Sequence, residues 1–66
     1  MINHVKEMRV SIGMTQQELG DLLNVSRQTI FSIETGKYVP STILSLKISK
    51  IFTKLVQEVF VLEEKD

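Results

Sequence analysis

Two short helical patterns, separated by a turn that breaks the helix, fill residues 15–34 and constrain the fold more than any other segment. The first pattern begins at Thr15, where Glu18 three positions later completes a capping box. The second begins at Ser26, a residue type that is favoured as an N-cap. Between them, Asn24 supplies a side chain that tolerates a positive φ. Two helices joined by so short a turn predict a helix-turn-helix.

The second of these helices carries four side chains on the face that is not expected to pack into the core. They are Arg27, Gln28, Phe31 and Ser32. Arginine and glutamine are the side chains that pair bidentately with guanine and adenine edges. The alternatives are a solvated helix face for Arg27 and Gln28 and a bystander position for Phe31 and Ser32. In this motif the pattern favours the reading of duplex DNA.

The composition excludes several other classes of site. The chain has 66 residues and no cysteine, and its single histidine is His4, so we expect no disulfide, no metal and no other cofactor. No nucleophile with a base, pair of carboxylates or phosphate-binding glycine loop stands out, which argues against an enzyme. The length predicts one small domain over residues 1–66, near the size at which a single core is only marginally stable and a partner chain would help.

No segment has the pattern of a membrane or targeting sequence. The apolar runs are shorter than the roughly 20 residues of a membrane span, and the N-terminus lacks the pattern of a signal peptide. We therefore expect a cytoplasmic protein without a membrane partner.

The net charge of zero argues mildly against a nucleic-acid partner, because such domains usually carry a basic excess. The distribution weakens that argument. Acidic residues gather near the C-terminal end, at Glu58, Glu63, Glu64 and Asp66. The remainder of the chain is therefore basic, and any electrostatic attraction for DNA is expected to be local.

The spacing of apolar residues predicts three further helices around the motif. They are helix one over residues 3–12 with a stop at Gly13, helix four beginning at the N-cap Ser41, and helix five over residues 55–60. Helix three is expected to end at Gly36. The fold class is therefore all-α with five helices, and the helix-turn-helix is formed by helices two and three. For the tail at residues 61–64, a short extended element and an irregular end stay open.

Three segments, quoted as they stand, carry a resemblance to a known family. They are MTQQEL at 14–19, VSRQTI at 25–30 and IETGKY at 33–38. These segments resemble the Cro/cI family, also called the XRE family, and the length is similar to that of its short stand-alone members. The resemblance implies a lambda-repressor-like domain with a small C-terminal β element, and a homodimeric repressor that binds double-stranded DNA.

The resemblance also implies roles for individual residues. Arg27 and Gln28 would read base edges, and Ser32 matches another base-contacting position with Phe31 beside it, able to touch a thymine methyl group. The residues that would contact the DNA backbone are Thr15, Gln16, Ser26, Lys37 and Tyr38. Lys37 and Tyr38 have an alternative as ordinary loop residues, with Tyr38 packed on helix four. By the same matching, Arg9 and Glu34 would form a structural ion pair between helices one and three.

The apolar residues near the C-terminus allow either a tighter monomer core or a two-fold interface, and we favour the interface. They are Phe52, Leu55, Val59, Phe60 and Leu62. The chain departs from the family at residues 53–55, where members often have a glycine followed by Ser, Thr or Pro, so helix four is free to continue through this junction. A second departure is Gly20, which stands where alanine is usual.

Two functions of different classes follow from these features. The first is a sequence-specific transcriptional repressor that binds an inverted repeat as a homodimer. The second is an antitoxin-type or other protein-interaction module, in which the apolar C-terminal surface docks a partner protein. Zero net charge favours the second, and the motif at residues 15–34 favours the first.

Overall fold

Five helices and two short strands make up the structure, a computed structural model that describes residues 1–66. In chain order they are β1 (Ile2–Asn3), α1 (Val5–Ser11), α2 (Gln16–Leu23), α3 (Arg27–Glu34), α4 (Thr42–Phe52), α5 (Val56–Val59) and β2 (Phe60–Val61). The expected five-helix class is confirmed. None of the helices, of which α4 with 11 residues is the longest, has the length and apolarity needed to cross a membrane.

The C-terminal β element is present, and its partner is the beginning of the chain. β1 and β2 pair in antiparallel fashion, with Ile2 opposite Val61 and Asn3 opposite Phe60. The predicted bounds of helices one and five therefore extended too far. Asn3 lies in β1, where its Nδ2 donates to the carbonyl of Ile33 at 2.9 Å, and Phe60 continues into β2 instead of α5.

The core lies where all five helices meet. Its buried side chains are Val5, Leu19, Leu23, Ile30, Ile33, Ile48, Phe52 and Val59. Each of the five helices contributes at least one core side chain that is at most 8% exposed. The core side chain of the short α5 is Val59, which is fully buried. Because each helix is short, this shared core rather than helix propensity supplies most of their stability.

Close contact between α2 and the following turn depends on Gly20. A Cβ atom built there would lie 2.8 Å from the carbonyl oxygen of Val25 and 3.4 Å from the carbonyl carbon of Ser26. The nearer atom belongs to the backbone, so it cannot move aside as a flexible side chain would. Gly20 therefore lets the backbone of the turn lie against α2, which sets the angle at which α3 leaves it.

α4 ends at Phe52, so helix four does not continue through residues 53–55, although the departure from the family pattern left it free to do so. Thr53 adopts a left-handed conformation with φ 57° and ψ 41°. Its N–H donates to the carbonyl of Lys50 at 3.2 Å, and the next N–H, of Lys54, donates to that of Ser49 at 3.0 Å. These bonds close the helix without a glycine, although a β-branched residue rarely adopts this conformation.

Candidate nucleic-acid interface

The exposed face of α3 carries the side chains that the sequence predicts to read bases. Ser26 caps this helix, since its Oγ accepts the N–H of Thr29 at 3.1 Å. Arg27, Gln28 and Phe31 are exposed and Ser32 is half-buried. The opposite face of α3 is buried, so the core fixes which side of the helix points outward.

The N-terminal end of α2 lies beside this face. Gln16, Arg27, Gln28 and Phe31 together line an open cleft of about 300 Å³. Phe31 is 41% exposed. An aromatic ring with this much surface in water, next to arginine and glutamine donors, is suited to contact a partner that offers both apolar and hydrogen-bonding groups.

Thr15 and Ser26, two of the predicted backbone-contacting residues, are helix caps. The Oγ1 of Thr15 accepts the N–H of Glu18 at 3.0 Å, and the N–H of Thr15 donates to Oε1 of Glu18 at 2.8 Å. The hydrogen bonds from Thr15, first from its backbone N–H and then from its side chain, hold the pKa of Glu18 below its usual range. Both cap residues are exposed and lie at helix N-termini, which favour negatively charged ligands.

The loop after α3 begins with Lys37 and Tyr38, both of which are exposed. The carbonyl of Ser32 accepts the N–H groups of Lys37 at 2.9 Å and of Tyr38 at 3.2 Å, which fixes the loop to α3. Tyr38 is 46% exposed, so it is not a core residue. It also lines a cleft of about 390 Å³ together with Gln28 of α3 and Leu44 of α4.

The ion pair that the sequence predicts between Arg9 and Glu34 is present and mostly buried. Nε of Arg9 donates to Oε2 of Glu34 at 2.7 Å, and Nη2 donates to Oε1 at 3.2 Å. The third bond, from Nη1 of Arg9 to the carbonyl of Met14, is 2.7 Å long. The Glu34 side chain is only 3% exposed. This pair ties α1 and the turn after it to the end of α3.

The structure adds a contact that the sequence did not reveal. Nε2 of Gln16 donates to Oε1 of Glu34 at 3.0 Å, so the same carboxylate also holds the start of α2. The two residues are 18 positions apart and belong to different helices. No local pattern encodes such a bond, and it becomes visible only after α2 and α3 are placed against each other.

Only three acidic side chains form an ion pair with an arginine, a lysine or the N-terminus, and they are Glu34, Glu63 and Asp66. Acidic side chains that form a hydrogen bond or ion pair within the chain are Glu7, Glu18, Asp21, Glu34, Glu58, Glu63 and Asp66. Basic side chains that form no ion pair are Lys6, Arg27, Lys37, Lys47, Lys50 and Lys54. A hydrogen bond to a neutral group does not remove the charge of a carboxylate, so the positive charge offered to a partner depends on where the unpaired basic side chains lie, and Arg27 lines the cleft with Gln16 and Phe31.

The five residues predicted for a dimer interface separate into two groups. Phe52 and Val59 are buried in the core of the single chain, at 8% and 0% exposure. For these two residues the monomer core, the alternative reading of the sequence, accounts for the apolar side chain. Leu55 and Leu62 are exposed and Phe60 is half-buried, so these three remain available to a second copy.

Comparison with known structures supports the same fold. The crystal structure of the restriction-modification controller protein C.AhdI from Aeromonas hydrophila is similar, with a TM-score of 0.77 over 86% of each chain. The sequence identity of 24% is low, so this similarity concerns the fold.

Proteins of similar sequence match the chain over its full length. The HTH-type transcriptional regulator YgzD of Bacillus subtilis is 48% identical over 66 residues, which is all of both chains. An HTH-type transcriptional regulator of Methanocaldococcus jannaschii is 42% identical, again over all of both chains. The helix-turn-helix family model matches residues 5–58. The chain therefore belongs to the helix-turn-helix family of DNA-binding transcriptional regulators.

Proposed function

We propose that this protein is a sequence-specific repressor that binds an inverted repeat in double-stranded DNA as a homodimer. The observation that carries the proposal is the cleft that groups Gln16, Arg27, Gln28 and Phe31 on the outer face of α3. A helix of this kind fits the major groove, where base edges carry a distinct pattern of donors and acceptors.

Specificity and affinity come from different residues in this proposal. Arg27 and Gln28 read base edges, and each bidentate contact contributes about 1–3 kcal/mol of discrimination. Lys37, Tyr38 and the capped start of α2 contact phosphates, which supplies affinity that falls as salt is raised. The basic side chains without an intramolecular partner support this second contribution.

We assign a second copy of the chain as the partner that packs against the apolar side chains near the C-terminal end. We define the C-terminal apolar surface as the three residues of the predicted interface that are not buried, together with two exposed residues that line a groove with Phe60. They are Leu55, Phe60 and Leu62, with Val39 and Leu46. Val39 and Leu46 are 64% and 52% exposed, and with Phe60 they line a groove of about 270 Å³. Burial of such side chains between two copies would stabilise a domain of this small size.

A two-fold complex on DNA sets a spacing that can be compared with the size of the chain. Its longest extent is 32 Å. Recognition helices of a two-fold binder must lie about 34–36 Å apart to enter successive major grooves on one side of the duplex. In the proposed dimer, contact through the C-terminal apolar surface places one α3 in each half-site, and the distance between the two α3 helices has to meet this spacing. Repression then follows from occupancy, since a dimer bound at a promoter excludes polymerase.

The first test is selection of binding sequences from a random duplex DNA library at moderate salt. We expect enrichment of an inverted repeat with half-sites about one helical turn apart. Transcription from a promoter that overlaps the selected sequence should fall when the protein is added. Absence of enrichment, even at low salt, would contradict the proposal and favour a protein-interaction module that uses the C-terminal apolar surface.

Two variants separate base reading from phosphate contact. Arg27→Ala should weaken binding to the selected sequence by about 1–3 kcal/mol and leave binding to unrelated duplex less affected. Lys37→Ala is the matched control, and it should weaken binding to both duplexes about equally and reduce the salt dependence. Unchanged discrimination in Arg27→Ala would exclude Arg27 as a base-reading residue.

A charged side chain introduced into the C-terminal apolar surface tests the proposed dimer. Val39→Glu should shift the protein towards a monomer in sedimentation analysis and reduce the preference for the inverted repeat over a single half-site. Leu22→Glu is the control, because Leu22 is 62% exposed and lies outside the C-terminal apolar surface. Equal behaviour of the two variants would show that this surface is not the interface.

A further inference from the structure

α2 and α4 form a groove that has no part in DNA binding or in the proposed dimer. It has a volume of about 310 Å³ and is lined by Leu22, Leu23, Lys47, Lys50 and Ile51. None of these residues lines the clefts at the candidate interface or the groove of the C-terminal apolar surface. The α2–α4 groove is therefore a separate surface of the molecule.

The apolar lining of the α2–α4 groove is in contact with water. Leu22 is 62% exposed and Ile51 is half-buried. Leu23 lines the same groove but is only 5% exposed and belongs to the core, so it forms the floor. A partner that covers Leu22 and Ile51 removes apolar surface from water, which favours a partner with apolar side chains of its own.

The charged lining of the α2–α4 groove is entirely basic. Lys47 and Lys50 are three positions apart on α4, so they lie on the same face of that helix. Both are exposed, and neither takes part in an ion pair within the chain. A partner that carries carboxylates beside its apolar side chains is complementary to this groove in both charge and polarity.

A second copy of the chain is a poor occupant of the α2–α4 groove. In a two-fold contact the same patch faces itself, so Lys47 and Lys50 of both copies would be brought together and would repel each other. The acidic end of another copy is also partly occupied, because Glu63 and Asp66 hold the amino group of Met1 at 2.8 Å and 3.0 Å.

A DNA backbone matches only half of the α2–α4 groove. Phosphates would attract Lys47 and Lys50, but they offer Leu22 and Ile51 no apolar surface against which to pack. The mixture of exposed apolar and unpaired basic side chains fits an amphipathic segment of a protein better, and a helix that lays its apolar face into a groove is a common form of such recognition.

We propose that the α2–α4 groove docks an acidic amphipathic helix of a partner protein. Apolar side chains of that helix pack against Leu22 and Ile51, and the carboxylates beside them pair with Lys47 and Lys50. The exposed face of α3 remains free for DNA and the C-terminal apolar surface for a second copy. The partner, DNA and the second copy therefore bind at the same time.

The first test is selection from a display library of random peptides about 18 residues long, which is about five helical turns, against the intact protein. We expect the enriched peptides to carry apolar residues at helical spacing with glutamate or aspartate beside them. A fluorescently labelled synthetic copy of an enriched peptide is then titrated with the protein to obtain Kd. Absence of enrichment, or enrichment of peptides without acidic residues, would overturn the proposal.

Substitution of one apolar residue in each groove locates the binding site. Leu22→Glu should raise the Kd for the peptide at least about tenfold, because an anchoring contact is lost and a like charge faces the peptide carboxylates. Val39→Glu, which alters the C-terminal apolar surface instead, is the matched control and should leave this Kd unchanged. The opposite result would assign the peptide to the C-terminal apolar surface and overturn the proposal.

A reversal of charge tests the contribution of the two lysines. The double variant with Lys47→Glu and Lys50→Glu should raise the Kd about tenfold, and a peptide in which lysines replace the acidic residues should restore binding to this variant. Lys6→Glu is the control, because Lys6 is exposed and unpaired but lies on α1 outside the groove. Equal effects of the double variant and Lys6→Glu would overturn the proposal.

Two further measurements separate this proposal from loss of folding and from the proposed function. Circular dichroism should show that each variant is folded, since all the substituted residues are exposed. Saturation with the selected DNA duplex should leave the Kd for the peptide unchanged, and competition would contradict a separate surface. If the DNA selection returns no preferred sequence, the proposed function fails, whereas the peptide titrations still decide whether the α2–α4 groove is a docking site.

Discussion

The turn that joins α2 to α3 and the turn that joins α4 to α5 have the same backbone geometry. Asn24 has φ 58° and ψ 43° in the first, and Thr53 has φ 57° and ψ 41° in the second. In each turn the N–H of the following residue reaches the carbonyl five positions before it, at 2.9 Å in the first and 3.0 Å in the second. Both helices therefore end in the same left-handed cap.

The residues that build these two turns differ in almost every respect. Asn24 is a type that tolerates the left-handed conformation, and Ser26 then caps α3 with its hydroxyl group. Thr53 is β-branched and disfavoured there, and Leu55 at the start of α5 has no side-chain acceptor to offer. Only the Oε1 of Glu58, which accepts the N–H of Leu55 at 2.9 Å, supports the start of α5.

The difference shows which turn is specified locally and which is imposed by packing. Around the first turn, local preference and the core act in the same direction, and such agreement favours a single well-defined conformation. The second turn is held at its two ends by Phe52 and Val59, both buried. The first turn positions the helix that we propose to read DNA, where a well-defined angle matters most.

The largest effect should come from removing the packing that imposes the second turn. Phe52→Ala should reduce the free energy of unfolding by about 3–5 kcal/mol, because a large buried side chain is replaced by a cavity. Urea unfolding, followed by circular dichroism at two protein concentrations, measures this loss. Ile43→Ala on the same helix is the control, since Ile43 is 68% exposed. A loss that appears only at the higher protein concentration would place Phe52 in a dimer interface instead of the monomer core.

A reciprocal exchange tests the left-handed residues directly. Asn24→Thr should reduce the free energy of unfolding by about 1 kcal/mol, and Thr53→Asn should raise it by about the same amount, because non-glycine residues differ in how well they tolerate this conformation. Urea unfolding with an unchanged m-value would show that the effect is on stability. No gain in Thr53→Asn would mean that the second turn carries no local penalty.

The same contrast explains how much of the molecule could be predicted from its sequence. The helix-turn-helix followed from Thr15, Asn24 and Ser26, because each residue has a local preference that matches its place in the structure. The end of helix four could not be predicted, since Thr53 prefers other conformations and only the burial of Phe52 and Val59 requires the turn. The pairing of β1 with β2 was equally hidden, because it joins the two ends of the chain.

Some features of the candidate site could also be predicted from the sequence, whereas one could not. The exposure of Arg27, Gln28 and Phe31 followed from helical periodicity, since the opposite face of α3 had to be buried. The ion pair between Arg9 and Glu34 followed from the family resemblance. The bond from Gln16 to Glu34 depends on the angle between two helices, which no property of either segment specifies.

A smaller effect is expected from the caps that follow the two turns. Ser26→Ala should reduce the free energy of unfolding by about 1 kcal/mol, because the N–H of Thr29 loses its acceptor. Leu55→Ser should raise it by roughly 0.5 kcal/mol through a new cap at α5. Thermal unfolding at a concentration where the protein is monomeric measures both variants. A loss of stability in Leu55→Ser would show that a hydroxyl cap does not stabilise the start of α5.

The smallest effect concerns Glu18, whose carboxylate accepts the backbone N–H of Thr15, the N-cap of α2. In α2, the N–H of Thr15 donates to Glu18 and keeps the pKa of Glu18 below the ordinary value of 4.5. The folded pKa is thus lower than the unfolded one, so this contribution to stability is complete above the unfolded value and is lost as the pH falls through the folded value. We expect Tm to decrease in this acid range and Glu18→Gln, whose amide oxygen still accepts the Thr15 N–H, to remove part of the decrease. Glu64→Gln is the matched control, because Glu64 is exposed and forms no bond within the chain. An equal acid dependence in both variants would show that the capping box of α2 does not contribute to it.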